Sequence, residues 1–231
     1  TSLSKKNLLK ENVLENTIFV TGNTAIDCLK FTIKENYTFD VDLLNKIDFK
    51  NKKIVSATAH RRENLGKPLE DICNALLDIV DLDESIEVVY AVHQNPAVKD
   101  IVYRILGNHN RIHLTEPLNI SDMHNLLNSS FLVMTDSGGL QEEVPSMKKP
   151  VLVLRNVTER PEGVDAGTLR LVGTDRKNIV SNFSELLNNK SEYNKMIEAK
   201  NPFGDGQASK RIVDAILYHF GLTNEKPDEY T

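Results

Sequence analysis

The 231-residue chain is poor in cysteine, has no surplus of cations and contains no long apolar run. Each shortage excludes a class of function. The two cysteines, Cys28 and Cys73, fall inside helical repeats with neither zinc nor redox spacing, so the reduced thiols of a cytoplasmic protein are expected. The 28 Lys and Arg residues are scattered among 33 Asp and Glu, giving a net charge of −5. Nucleic-acid backbones are held by clustered surplus cations, so no nucleic-acid partner is expected. No stretch approaches the roughly 18–20 apolar residues of a membrane helix, and no apolar stretch opens the chain as a signal would, so no membrane contact is expected. There is no G-x-G-x-x-G, no Walker lysine and no nucleophile elbow, so NAD, ATP and serine-nucleophile chemistry lack their usual signs and no cofactor is expected. His109 and His113 are four apart, but Gly107-Asn108 breaks any helix there and no Cys or acidic partner follows. No metal site is expected.

What is present is an alternation of short β-branched runs with helical repeats. Runs at Ile18–Val20, Lys53–Thr58, Ile86–Val92, Arg111–Thr115, Phe131–Met134, Pro150–Leu154 and Leu169–Val172 read as strands. Between them, helices are predicted from Thr24 to Lys34, from Pro68 through Val80, over Pro96–Leu106 and near Asp122–Leu127. Strands joined by connections of that length are parallel, which predicts a doubly wound, Rossmann-like α/β sheet with helices on both faces. After Val172 only helices remain, near Arg176–Leu187, Ser191–Glu198 and Gln207–Phe220. Residues 2–9 read as a short polar helix, and residues 223–231 as a frayed tail. The chain opens on Thr1 rather than a methionine, which reads as a fragment of something longer.

Ligands of open α/β sheets bind beyond the carboxyl ends of the strands. Those ends carry His60-Arg61-Arg62-Glu63-Asn64, His93-Gln94-Asn95-Pro96, Asp136-Ser137-Gly138-Gly139 and the stretch from Arg155 to Glu162. Two glycines let a backbone approach a ligand closely, and the helix they open points free N–H groups outward, which suits a diphosphate. A plain strand-to-helix turn is the competing account. Glu143, a turn and a half further on, is placed to accept ribose hydroxyls or is an ordinary exposed carboxylate. Arg61, Arg62 and Arg160 suit phosphate through their guanidinium forks, or pair with Glu63, Glu159 or Glu162. His60 beside two arginines favours a neutral ring. Spacing alone stops at a nucleotide-diphosphate or sugar-phosphate binding domain.

As a set, His60-Arg61-Arg62-Glu63-Asn64, His93-Gln94-Asn95-Pro96, Thr135 through Glu143, Thr158-Glu159-Arg160-Pro161-Glu162, Gly167-Thr168 and Leu171-Val172-Gly173-Thr174 closely resemble the non-hydrolysing UDP-N-acetylglucosamine 2-epimerases. The resemblance runs in order from about Val20 to Ala208. It implies the C-terminal, nucleotide-binding half of the two-domain GT-B architecture. Residues 1–17 would be the end of a preceding domain, 18–206 the UDP-binding domain, and 207–222 a helix crossing back towards that preceding domain. The implied reaction interconverts UDP-GlcNAc and UDP-ManNAc by elimination of UDP and its re-addition, without net redox. By resemblance His60 is the catalytic candidate. Ser137, Gly138 and Gly139 hold the diphosphate, Glu143 the ribose, and Arg160 the same substrate. Arg61 and His93 match positions that touch a second, regulatory substrate molecule in bacterial members. Leu118 and Met123 depart from the Gln and aromatic that the family often presents to the uracil. The family's acid/base carboxylates are absent from this sequence, so the chain alone is expected to bind UDP without epimerising it. The family tends to form homodimers. Three other classes stay open: a GT-B glycosyltransferase, a hydrolysing epimerase and a non-catalytic UDP-sugar binding module.

Overall fold

A computed structural model describes residues 1–231. The chain runs α1 (Ser2–Lys10), α2 (Thr24–Thr32), β1 (Lys53–Thr58), α3 (Lys67–Asp81), β2 (Ile86–Ala91), α4 (Pro96–Leu106), β3 (Ile112–Thr115) and α5 (Ile120–Ser129). It continues through β4 (Leu132–Thr135), α6 (Gly138–Glu143), β5 (Val151–Val153), α7 (Pro161–Asp165), β6 (Leu169–Leu171), α8 (Arg176–Asn188), α9 (Lys190–Glu198) and α10 (Ala208–His219). The strands form one sheet in the order β3-β2-β1-β4-β5-β6, and every neighbouring pair is parallel. This is the doubly wound α/β fold expected from the alternation. None of the helices is long and apolar enough to cross a membrane.

The pleat sends alternate residues to opposite faces, and each face meets its own helices. Val55, Ala57, Val88, Tyr90, Leu132 and Met134 point into the larger core with α3, α4 and α8. Helix α3 shows why it lies there. Leu69, Ile72, Cys73, Leu76, Ile79 and Val80 recur at helical spacing and are all buried, and Pro68 sits in the first turn, where its missing N–H leaves no gap. On the other face Val133, Val151 and Val153 meet Ile26 and Leu29 of α2 and Leu127 of α5. Each such fully buried side chain stabilises the fold by about 1.5–3 kcal/mol.

Three local expectations are corrected. Ile18–Val20 is extended but pairs with no strand, because its residues pack towards α10 instead, where Phe19 meets the Tyr218 ring edge-on at 6.4 Å. Helix α2 is capped by Asn23 rather than Thr24. The Asn23 side-chain oxygen accepts from the Ala25 N–H at 2.9 Å, and the helix stops at Thr32, short of Lys34. The tail expected to fray is tied down near its end. The Tyr230 N–H donates to Val20 O at 2.8 Å, its buried hydroxyl donates to Asn201 O, and Glu229 pairs with Lys5 at 3.2 Å.

Candidate substrate site

Strand order reverses between β1 and β4, and a crevice opens where the connections from those two strands diverge to opposite sides. The loop after β1 carries His60 and Arg61, and the turn after β4 carries Asp136 to Gly139. Asp136 joins them. Its side chain is fully buried, and one oxygen, Oδ2, accepts from the His60 N–H at 2.8 Å, the Arg61 N–H at 2.8 Å and Asn64 Nδ2 at 2.9 Å. Asn64 donates onward to Leu154 O at 3.0 Å. Below, the Tyr90 hydroxyl both accepts from the Ala59 N–H and donates to the Ala59 carbonyl, at 3.1 and 3.0 Å. The loop therefore takes its shape from partners on β2 and after β4, not from its own sequence.

The other Asp136 oxygen, Oδ1, lies 3.5 Å from His60 Nδ1, and neither buried atom has a hydrogen-bond partner. An Nδ1–H facing that oxygen would leave Nε2 for the crevice. The His60 ring stacks on His93, centroid to centroid at 4.8 Å and nearly parallel at 7°. Burial, first of all, lowers the His60 pKa. The neighbouring His93 and Arg61 push it the same way, and Asp136 works against them. A neutral ring was expected from the flanking arginines, yet burial is the larger cause and Arg61 the smallest.

Two cations converge on the Gly138 turn. A Cβ placed on Gly138 would stand 3.5 Å from Arg61 Nη2 and 3.6 Å from Arg160 Nη2. The helix opening there leaves its first N–H groups without intrahelical acceptors. Arg160 pairs with Glu142, whose carboxylate also accepts from Asn23 Nδ2. The Arg160 N–H donates to Thr158 Oγ1 at 3.1 Å, and that hydroxyl donates to the buried Gln141 at 2.5 Å. Arg155 braces the same edge, gripping Glu159 at 2.6 and 2.9 Å and Glu63 at 2.9 Å. Its hydrogen bonds hold the Glu159 pKa down to about 2. Arg61 makes no ion pair, whereas the neighbouring Arg62 is exposed and forms the start of a 3-10 turn. A cavity of about 460 Å³ beside Arg160 is lined by Asn23, Thr24, Glu142, Glu159 and Glu162.

Glu143 lies at the far end of α6 and folds back along it. Its Oε1 stands 3.4 Å from where a Gly139 Cβ would be, and Oε2 meets His124 Nε2 at 3.0 Å. The structure thus gathers His60, Arg61, His93, Ser137, Gly138, Gly139, Glu143 and Arg160 around one crevice. Leu118 and Met123 part company. Leu118 packs against the Phe39 and Leu44 cluster, and Met123 against the cluster under α6. No three of the chain's His, Cys, Asp and Glu side chains are grouped to hold a metal ion.

Asn64, Asp136 and Glu142 stood in the singled-out segments without a role of their own, and His124 was not singled out at all. A signal existed for two of them. A carboxylate ending a buried strand must find N–H donors, and a histidine three residues from Leu127 on an apolar helix face must find partners for both nitrogens.

A profile of the family described as UDP-N-acetylglucosamine 2-epimerase matches residues 1–217. The UDP-N-acetylglucosamine 2-epimerase of Bacillus subtilis is 50% identical over 231 residues, covering 100% of this chain and 60% of its own length. Among solved structures, the S. aureus MnaA-UDP co-structure superposes with a TM-score of 0.94 at 46% identity, covering 100% of this chain and 62% of that one. The UDP-GlcNAc 2-epimerase of Neisseria meningitidis bound to UDP-GlcNAc gives a TM-score of 0.86 at 38% identity, covering 94% and 60%. The chain thus spans about 60% of the length of the relatives it matches.

Proposed function

The chain belongs to the UDP-N-acetylglucosamine 2-epimerase family, and on that premise we propose that it supplies the nucleotide-binding half of an enzyme interconverting UDP-GlcNAc and UDP-ManNAc. The observation that carries this is the meeting of the Arg61 and Arg160 guanidinium ends over Gly138, beside the stacked His60. Two guanidinium ends so placed suit an anion, and the S. aureus and Neisseria meningitidis relatives were solved with UDP and with UDP-GlcNAc.

The chemistry asks for a good leaving group. The hydrogen on C2 of the sugar is not acidic. Its removal becomes feasible as the C1–O bond breaks and UDP departs with the electron pair. The C2 proton passes to a base, and the carbon–hydrogen electrons form the C1=C2 double bond of a glycal. UDP then re-adds to C1 while a proton reaches the opposite face of C2, so atoms and electrons balance. Guanidinium and N–H donors stabilise the charge gathering on the leaving diphosphate, each worth about 2.7–4 kcal/mol where such donors have been removed from enzymes. Burial lowers the His60 pKa and so favours the neutral ring before substrate arrives, whereas a diphosphate beside it favours the protonated form. Nε2–H then donates to the departing oxygen while Asp136 steadies the imidazolium through Nδ1. Arg160 shares its charge between Glu142 and the substrate.

The acid/base carboxylates implied by the resemblance belong to a preceding domain. The outer edge of α10 supports such a neighbour. Ile216 and Phe220 are 50% and 71% exposed and line an apolar groove with Leu8 and Phe19. The 231-residue chain is therefore expected to bind UDP and not to epimerise. Calorimetric titration with UDP tests the first half, with binding expected to weaken on the order of 10-fold or more in Arg160→Ala. Incubation with UDP-GlcNAc and chromatography tests the second, and a UDP-ManNAc peak from the chain alone would overturn it.

A further inference from the structure

Glu143 pairs with no Lys or Arg; the group holding it is His124, on α5. The His124 side chain is 4% exposed and the Glu143 side chain 16%. Each ring nitrogen has one neighbour: Nε2 lies 3.0 Å from Glu143 Oε2, and Nδ1 lies 2.7 Å from Thr32 Oγ1 in the last turn of α2. The Thr32 hydroxyl is also within reach of Cys28 O at 3.2 Å and Leu29 O at 3.4 Å. That geometry serves either protonation state of the ring. When neutral, His124 accepts the Thr32 proton at Nδ1. When charged, it donates there and the hydroxyl turns to a backbone carbonyl. In both cases Nε2–H donates to Glu143.

A carboxylate held on one oxygen by a buried donor loses its rotational freedom. Oε2 stays on α5, and Oε1 stays over Gly139, facing the crevice. We propose that the Thr32–His124 pair is a positioning device that aims Glu143 at the ribose hydroxyls and so sets the preference for ribo- over 2′-deoxyribonucleoside diphosphates. This rests on the assignment of Glu143 to the ribose. His124 touches no substrate and works through the carboxylate, by removing the entropy of fixing it at the moment of binding.

Calorimetry on the 231-residue chain with UDP and 2′-deoxy-UDP tests this. Loss of one hydroxyl to a charged acceptor is expected to weaken binding to wild type on the order of 10-fold. In His124→Leu, UDP is expected to weaken by about that factor or more and 2′-deoxy-UDP, which keeps only the 3′-hydroxyl contact, by less, so the ratio falls towards one. His124→Gln, whose amide can still donate to Oε2, is expected to keep most of the ratio. Thr32→Val, which leaves the crevice untouched, should lose part of it. A ratio unchanged in His124→Leu overturns the proposal, as does an equal loss for both ligands, which marks a merely structural residue. A wild type that binds both ligands alike overturns the ribose assignment of Glu143 itself, and one that binds neither overturns the expectation that this chain alone holds UDP.

Discussion

Removing the Asp136 carboxylate tests whether the loop after β1 is held from across the sheet. The group is fully buried and serves three donors: two backbone N–H groups and the Asn64 amide. In Asp136→Ala these donors lose their acceptor, at about 1–3 kcal/mol for each one left buried. His60 and Arg61 are half-buried, so water recovers part of that, and a net destabilisation of about 3–5 kcal/mol is expected, as when one partner of a buried charged cluster is removed. Asp136→Asn keeps the volume and one acceptor oxygen but exchanges charged for neutral hydrogen bonds, at about 1 kcal/mol each, or roughly 2–3 kcal/mol in all. Urea unfolding with an unchanged slope measures both, and the expected order is wild type, then Asn, then Ala. The Asn variant carries a second, sharper consequence. Its oxygen takes the Oδ2 position to serve the backbone, which turns its NH₂ towards His60 Nδ1. The ring must then accept at Nδ1 and carry its proton on Nε2, and its pKa must fall further because the one influence raising it is gone. Nitrogen chemical shifts of the labelled His60 ring report both the tautomer and the titration. An Ala variant within about 1 kcal/mol of wild type, or a His60 ring indifferent to Asp136→Asn, would refute the reasoning.

Gly138→Ala separates folding from binding. Its methyl would meet the two guanidinium ends at ordinary contact distance, and alanine suits a helix better than glycine by up to about 1 kcal/mol, so stability should hold or rise while calorimetric UDP binding is lost. The cysteines should differ: burial pushes the Cys73 thiol up to about 12, so a thiol reagent at pH 8 should modify the exposed Cys28 alone until denaturant releases a second equivalent. His60 sets a pH dependence. Its folded pKa lies below the ordinary 6.5, so the unfolded chain binds the proton first and stability falls as pH drops through that value; His60→Gln should flatten this part of the curve in pH-dependent unfolding.

Much of the layout is written locally in the sequence. Asn95-Pro96 pins the start of α4 because the Asn side chain caps it and the proline needs no N–H partner, and the α3 stripe fixes its inner face within the sequence itself. Where the sequence misleads, the deciding partner is remote. Ile18–Val20 has strand composition, but α10 and Tyr230 take its contacts, more than 190 residues away. Helix α7 has only five residues, too few to show a period, and Arg160 is aimed by its place at that helix's start. The glycine turn and the arginines were legible because each residue type announces its use. Asp136 and His124 showed in the sequence only that they needed partners, because the other ends of their hydrogen bonds lie on different elements.

The Asp136 anchor also bears on the order in which the molecule matures. The two N–H groups that it holds lie 75 and 76 residues earlier in the chain. Until β4 has docked beside β1, the loop bearing His60 and Arg61 has no acceptor to shape it, however well β1 and β2 have already paired. Completion of the crevice therefore waits on the docking of β4, whatever the order in which the earlier strands pair. A nascent chain that has emerged only through β3 would carry paired strands without the acceptor that shapes the His60 loop, and so an unfinished crevice.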